Sequence, residues 1–315
     1  MEIAALVAAL FHGGLGAAQI SRIVATLNDA LVKRLVALAQ NDVGPPPANY
    51  AWIVFGSEGR LEQTLLTDQD NALIYADSSS EAHAYFAELA RRVVEGLIEA
   101  GFPPCPGGFM ATNWCKPLQE WQRLYTKWIR LPEPEALLDA SIFFDFRAVA
   151  GTLSLASLEE IMAGAASEKL FLAHMLNGAL AFRPPLGFFN RLRHENGKID
   201  LKRVGIVPIV GLARAAALAA GSRERSTAER LSIAGASGAV LDRESAKTLA
   251  EMFPYLLYLR LRAQLTAREN NQPTDHRINL ADLSALERRR LKDTFVAIKQ
   301  IQESLRTIWQ LDRLG

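Results

Sequence analysis

The sequence predicts an α+β protein in which a small sheet lies between N-terminal helices and an all-helical C-terminal part. Residues 1–43 have helical character, clearest at 20–38, where apolar side chains recur at helical spacing. A proline-rich break at 44–47 leads into short apolar, β-prone runs. From about residue 153 the chain is rich in Ala, Leu, Arg and Glu with a helical period, which favours helices to the end.

The elements between these parts can be predicted in order. The runs 51–55 and 72–75 are short and apolar, as buried strands are. We predict further elements from the same patterns: a helix at 81–100, a strand at 105–112, an amphipathic helix at 118–130 and a strand at 143–149. Three domains follow from this order, namely a helical segment at 1–48, an α/β domain at 49–152 and a helical domain at 153–315.

Composition restricts the classes of function. Half of the 315 residues are hydrophobic and 22% are charged, which is a normal globular balance. A net charge of +1 does not favour nucleic acid as the main partner. No apolar run is long enough to cross a membrane, and the N-terminus does not resemble a signal peptide. We therefore expect a cytoplasmic protein whose two cysteines, Cys105 and Cys115, are reduced thiols.

A Gly-Ser turn between the first two predicted strands is the first candidate for binding chemistry. Gly56 and Ser57 let the chain turn tightly and open a helix, whose first backbone N–H groups have no internal partner. Those donors suit a phosphate, and Arg60 can add a fixed positive charge one turn later. A Gly-Ser turn by itself is more often only a turn.

Two acids follow the turn at the start of the second strand. Asp68 and Asp70 are two residues apart, so both side chains point to one face of an extended chain. Paired carboxylates repel each other, and a divalent cation relieves that repulsion. Magnesium binds through one or two carboxylates together with substrate phosphates. Either motif alone is commonplace, but together and in this order they indicate metal-assisted attack on a nucleotide phosphate.

The two motifs carry a family resemblance. Gly-Ser-x-Gly-Arg-x-Glu at 56–62, followed by Thr-Asp-x-Asp-x-Ala-Leu at 67–73, resembles the signature of the polymerase-β-like nucleotidyltransferases. More narrowly, the chain resembles a nucleotidyltransferase family that is related to protein-PII uridylyltransferases and occurs beside CBS and cyclic-nucleotide-binding modules in signalling proteins. Further stretches fit that narrower family: 105–111, 118–121, 142–147, 199–202 and 256–262.

The resemblance implies a catalytic domain with a small mixed sheet and a set of metal ligands. Asp68 and Asp70 correspond to the paired metal ligands. Asp145 corresponds to the third carboxylate, which in this superfamily completes the metal site and can help to deprotonate the attacking group. Its place among aromatic residues makes burial costly without a cation or a donor. A salt bridge from Asp145 to Arg147 or to another cation remains the alternative.

The resemblance also implies how a nucleotide is held. Gly56 and Ser57 correspond to the residues that bind the triphosphate. Lys202 in the helical domain corresponds to a residue that faces the cleft and reaches a nucleotide phosphate, although a solvated lysine is the commoner case.

The predicted reaction is a magnesium-dependent nucleotidyl transfer. Two Mg²⁺ ions serve the transfer of a nucleoside monophosphate from a nucleoside triphosphate to a protein or small-molecule acceptor, with release of pyrophosphate. The family offers a PII-type protein as the analogous acceptor, and CBS or cyclic-nucleotide-binding domains as upstream partners. One alternative is a nucleotide-sensing module without transfer activity. Another is an antitoxin-like or antibiotic-modifying nucleotidyltransferase, which differs only in its acceptor.

Overall fold

The computed structural model describes residues 2–65 and 68–311, and these fall into two compact units. One unit runs from residue 21 to residue 162 and contains the sheet. The other combines the chain up to residue 20 with the chain from residue 163 onward, and it is mainly helical. The helical segment that precedes the sheet therefore contributes to both units.

The sheet unit has small strands between longer helices. Elements are numbered from the first helix of the chain, α1 (Glu2–His12), which belongs to the other unit. The elements of the sheet unit are α2 (Ala17–Val43), β1 (Tyr50–Val54), α3 (Gly56–Gly59), β2 (Asn71–Tyr75), α4 (Ser80–Glu99), β3 (Cys115–Pro117), α5 (Leu118–Arg130), α6 (Pro134–Phe143), β4 (Arg147–Gly151) and α7 (Ala156–Gly164). The strand order is β3-β2-β1-β4. Strand β1 is antiparallel to β2 and β4, whereas β3 is parallel to β2. The predicted small mixed sheet is confirmed.

The two central strands are buried on both faces, which explains their continuous apolar sequence. On one face, Trp52 and Leu73 join a core that includes side chains of α2 and α4, such as Val36 and Phe86. Helix α4 begins at a cap where the Ser79 hydroxyl accepts from the Ala82 N–H at 3.2 Å. The sheet is thus packed against α2 and α4, and it supports the segment that connects β1 to β2.

An aromatic cluster packs around Phe143 at the end of α6. Trp121 and Trp128 of α5 have ring centroids 5.3 Å from that of Phe143. Phe55, directly after β1, meets the same ring edge-to-face at 4.5 Å. This packing holds the segment that carries Asp145 next to the end of β1.

Two local predictions were wrong. The predicted strand at 105–112 is a loop, and the short strand β3 follows it. The predicted strand at 143–149 is divided, because α6 extends to Phe143 and β4 begins only at Arg147. The helix that Gly56 and Ser57 were predicted to open is present as a single turn, and Leu61 after it adopts a φ of 60°.

The second unit is helical, as predicted, with one addition. Its longer helices are α8 (Lys169–Ala181), α9 (Val207–Ala219), α10 (Thr227–Ser237), α11 (Arg243–Glu269) and α12 (Ala285–Ile308). An antiparallel ribbon of β5 (Lys198–Asp200) and β6 (Arg277–Asn279) accompanies them. These strands are three residues long, too short for a period-2 pattern to be recognised. Within the described ranges, no helix has both the length and the apolar character to cross a membrane.

Candidate functional site

The turn after β1 brings backbone N–H groups and a carboxylate together. Gly56 has a φ of 54°, in the left-handed region that glycine adopts without strain. The N–H groups of Gly59 and Arg60 donate to the carbonyls of Phe55 and Gly56 at 2.8 and 3.1 Å. The N–H groups of Gly56 and Ser57 precede these bonds, so helix geometry gives them no partner within the turn.

Gly56 also lies directly beside Asp70. A Cβ at position 56 would lie 3.1 Å from Asp70 Oδ2, so the absence of a side chain permits the close approach. The N–H of Phe55 donates to the Asp70 carbonyl at 3.0 Å and extends the β1–β2 pairing by one step. The predicted phosphate turn and the predicted metal-binding acids therefore meet in space.

Asp68 and Asp70 lie just before β2 and not within it. Leu66 and Thr67, the second of which begins the motif at 67–73, lie outside the described residues. Both aspartates are half-buried, and each offers a carboxylate oxygen within 4.8 Å of the other's. The prediction that the two side chains share a face is consistent with this geometry.

Cys105 completes the group of potential metal ligands around the two acids. Its Sγ lies within 4.8 Å of a carboxylate oxygen of each aspartate, and the residue is 8% exposed. Burial raises the pKa of the Cys105 thiol, and the nearby Asp70 carboxylate, to which the thiol is hydrogen-bonded, adds to the increase. Sequence reasoning expected a reduced thiol within a strand at 105–112 and assigned this cysteine no role in the site.

Asp145 lies in the turn between α6 and β4, and a cation already binds it. Arg60 Nη1 donates to Asp145 Oδ2, and Arg60 Nε donates to Glu62 Oε2 at 2.7 Å. Asp145 is fully buried and Arg60 is 9% exposed. This ion pair is the alternative that the sequence left open, with Arg60 as the cation in place of Arg147. The role of Asp145 as a third metal ligand remains a prediction, as does the contact of Arg60 with a nucleotide.

Glu58, within the Gly-Ser turn, is a buried carboxyl group that sequence reasoning did not single out. Burial is the main cause that raises its pKa to about 8. Asp29 and Asp70 raise it further, whereas Arg147 opposes the increase. At neutral pH this carboxyl is therefore largely protonated, which limits the negative charge behind the aspartate pair.

Arg147 fastens the turn to α2. Its two terminal nitrogens donate to the Asp29 carboxylate at 2.6 and 2.9 Å, a bidentate pair with geometric specificity. The same guanidinium donates to the Glu58 carbonyl at 3.3 Å. Asn28 on the same helix donates to Gln63 at 2.9 Å. The site therefore rests on a rigid set of hydrogen bonds from α2 and β4.

Lys202 belongs to the helical unit, where it is exposed at the start of a π-helical turn, Lys202–Ile206. Among the described residues of that unit, the buried arginines are Arg214, Arg230 and Arg260. Arg230 Nε donates to the Glu224 carbonyl at 2.8 Å, and Arg260 Nη2 lies 3.2 Å from His276 Nδ1. The contact of Lys202 with a nucleotide phosphate remains a prediction.

The residues present fit a divalent cation. Two carboxylates held close together repel each other in a half-buried setting, and a cation between them removes that cost. The oxygen donors suit Mg²⁺ or Mn²⁺, and each ion keeps coordination positions for water or phosphate. The Gly56 backbone lies beside Asp70, so the turn and the acid pair are neighbours.

A mixed four-stranded sheet with a Gly-Ser turn set against paired aspartates is consistent with a nucleotidyltransferase domain, and a helical part follows it. Residues 1–135 match the model of the family described as Putative nucleotidyltransferase DUF294, and residues 169–308 match that of the Putative nucleotidyltransferase substrate binding domain. The chain belongs to this nucleotidyltransferase family, which confirms the resemblance seen in its motifs. Comparison with curated proteins gives no match.

Proposed function

We propose that the protein transfers a nucleoside monophosphate from a nucleoside triphosphate to a hydroxyl group of a protein or small-molecule acceptor. The observation that carries this proposal is the contact between the Gly56 turn and Asp70, with Asp68 beside it. The family match supports the reaction class, and a PII-type protein is the acceptor that the resemblance offers first.

The chain's own residues account for binding and orientation. The N–H groups of Gly56 and Ser57 bind phosphate oxygens, and Asp68 and Asp70 hold the divalent cation. When bound, the cation neutralises phosphate charge and stabilises the attacking and leaving oxygens. The ion pair of Arg60 with Asp145 and the bidentate pair of Arg147 with Asp29 keep the turn in place. Catalysis then consists mainly of positioning and charge.

The bond changes are those of an in-line displacement. The acceptor oxygen forms a bond to the α-phosphorus, and the bond from that phosphorus to the oxygen of the β-phosphate breaks. Pyrophosphate leaves with the bonding electron pair, and the acceptor proton passes to solvent. We assign binding of the acceptor to the helical unit, in line with the description of the family model that it matches.

The test is neutralisation of each aspartate of the pair. Asp68→Asn and Asp70→Asn should each lower transfer by about 10²–10³-fold, since each removes charge at the centre of the site. The assay follows label from each of the four α-labelled triphosphates onto a panel of acceptors that includes PII-type proteins, and it follows pyrophosphate release in parallel.

Asp293→Asn is the matched control, because Asp293 is exposed on α12 in the other unit and the change in charge is the same. Transfer at the wild-type rate by Asp68→Asn would contradict the proposed site. Tight, metal-dependent triphosphate binding without turnover on any acceptor would instead favour the nucleotide-sensing alternative.

A further inference from the structure

The loop that carries Cys105 is fixed to the chain on both sides of Asp70. Three hydrogen bonds join them: Gln69 N–H to Pro103 O at 3.1 Å, Asn71 N–H to Phe109 O at 3.0 Å, and Ala111 N–H to Asn71 Oδ1 at 2.8 Å. Because Gln69 and Asn71 are the two sequence neighbours of Asp70, these bonds fix the position of the loop relative to the Asp70 carboxylate. The approach of Cys105 to the acids therefore follows from backbone pairing.

A tight turn buries the thiol at this place. Gly108 N–H donates to the Cys105 carbonyl at 3.0 Å, with Pro106 and Gly107 at the corners, and Gly108 has a φ of 72°. The Phe109 ring lies over Gly107, where a Cβ would be 2.7 Å from it. The ring and the turn limit access to the sulfur, which nevertheless remains beside both aspartates.

We infer that Cys105 is a third protein ligand of the divalent cation, and that it gives this site a preference for thiophilic ions such as Zn²⁺ and Cd²⁺. The inference rests on the proposed function only for the location of the ion. With bonds of about 2.0–2.3 Å to oxygen and sulfur at tetrahedral angles, ligand atoms on one Zn²⁺ lie about 3.3–3.8 Å apart. The ligand atoms here lie within 4.8 Å of one another, so side-chain shifts of about 1 Å bring them to these distances.

The donor set determines which ions gain from the cysteine. Carboxylate oxygens suit Mg²⁺ and Mn²⁺, whereas a thiolate adds affinity mainly for softer ions. A thiophilic ion that binds here forms a metal–sulfur bond, and the thiol proton is released to solvent. Zn²⁺ should therefore compete with Mg²⁺ at the aspartate pair.

The test measures metal binding directly. Wild-type protein titrated with Cd²⁺ should develop the ultraviolet sulfur-to-cadmium charge-transfer band, and calorimetry should give the affinities for Zn²⁺ and Mg²⁺. Cys105→Ser should lose the band and bind Zn²⁺ at least about tenfold more weakly, since even changes to outer-shell partners cost 10–100-fold. Its Mg²⁺ affinity should change much less than its Zn²⁺ affinity.

Cys115→Ser is the matched control, because Cys115 is the other free cysteine and lies in β3, outside the described ligand group. A band that persists in Cys105→Ser, or that disappears in Cys115→Ser, would overturn the inference. If Cys105→Ser does not fold, alkylation of the wild-type protein decides the matter: Zn²⁺ should protect Cys105 and not Cys115, and equal labelling with and without Zn²⁺ would refute the inference.

Asp70→Asn separates this inference from the proposed function. It should weaken Cd²⁺ binding while Cys105 remains, which places the sulfur and the carboxylate on one ion. Unchanged transfer by Asp70→Asn would refute the proposed function alone. An unchanged Cd²⁺ response in Cys105→Ser would refute only the assignment of the cysteine.

Discussion

Two carboxylate environments adjoin the Gly-Ser turn, and they differ in burial and in the groups that lie beside the acids. Asp145 is fully buried and bound to Arg60, which also binds Glu62. Asp68 and Asp70 are half-buried and face each other and a thiol. The first group is neutralised by the chain itself, so we expect it to serve stability. The second brings two carboxylates and a thiol within 4.8 Å of one another, a ligand set that suits a divalent cation, so we expect it to serve function.

The largest effect on stability should come from Arg60. Arg60→Met leaves Asp145 and Glu62 buried without this cation, and breaking a buried pair in this way costs about 3–5 kcal/mol. Urea denaturation monitored by circular dichroism measures the free energy of unfolding. Arg91→Met is the control, because Arg91 pairs with Glu88 and Glu95 while 48% exposed, and such pairs contribute at most about 1 kcal/mol. Equal losses in the free energy of unfolding of Arg60→Met and Arg91→Met would show that the buried ion pairs of Arg60 contribute no more than exposed ones.

A pair of isosteric changes tests the comparison itself. Asp145→Asn should lower the free energy of unfolding by about 1–3 kcal/mol, since it weakens a buried charge-assisted hydrogen bond. Asp70→Asn should leave that free energy unchanged or raise it when no divalent ion is present, because it relieves repulsion within the pair. Both are measured by denaturation in a chelator. A larger loss in Asp70→Asn than in Asp145→Asn would reverse the assignment.

The smallest effect concerns the pH dependence of stability. The Glu58 pKa is raised to about 8 in the folded protein from an ordinary 4.5, so unfolding releases a proton across that interval. The contribution of this group to stability is full below pH 4.5 and is lost as the pH rises towards 8. The free energy of unfolding should thus fall by at least about 1.4 kcal/mol, the equivalent of one pKa unit.

Glu58→Gln checks this pH dependence, because it retains a neutral polar side chain and cannot titrate. Its free energy of unfolding, measured in a chelator, should vary less with pH between 5 and 8 than that of wild type. Glu81→Gln, an exposed change in the first turn of α4, should retain the wild-type dependence. A Glu58→Gln profile that parallels wild type would show that this carboxyl is ionised in the folded protein.

Sequence reasoning predicted most of the fold because the relevant signals are local. The strands around residues 53 and 73 and the helix at 118–130 have unambiguous apolar patterns, and the structure has them within a residue or two. Short elements were harder. The single turn of α3 and the three-residue strands β5 and β6 lack the length for any period to show.

The candidate site likewise has a part that is local in sequence and could be predicted, and a part that depends on long-range contacts and could not. The Gly56 turn and the aspartate pair are adjacent in sequence, so their meeting could be predicted. Arg60 and Asp145 are 85 residues apart, and only folding shows which cation binds the acid. Cys105 depends on hydrogen bonds between a loop and the start of β2. Such pairings leave no periodic trace in a single sequence.

Gly59, the second glycine of the motif, has a packing role that is separate from any binding of phosphate. A Cβ there would lie 1.8 Å from the Asp145 carbonyl oxygen, inside the volume of that atom. The second glycine of the signature therefore allows the backbone that leads into β4 to pack closely against the turn, whereas the first leaves room for the Asp70 carboxylate. With alanine at this position, the backbone at Asp145 would have to move away from the turn. This single residue can therefore be used to judge whether a distant sequence retains the same packing of the turn against the segment before β4.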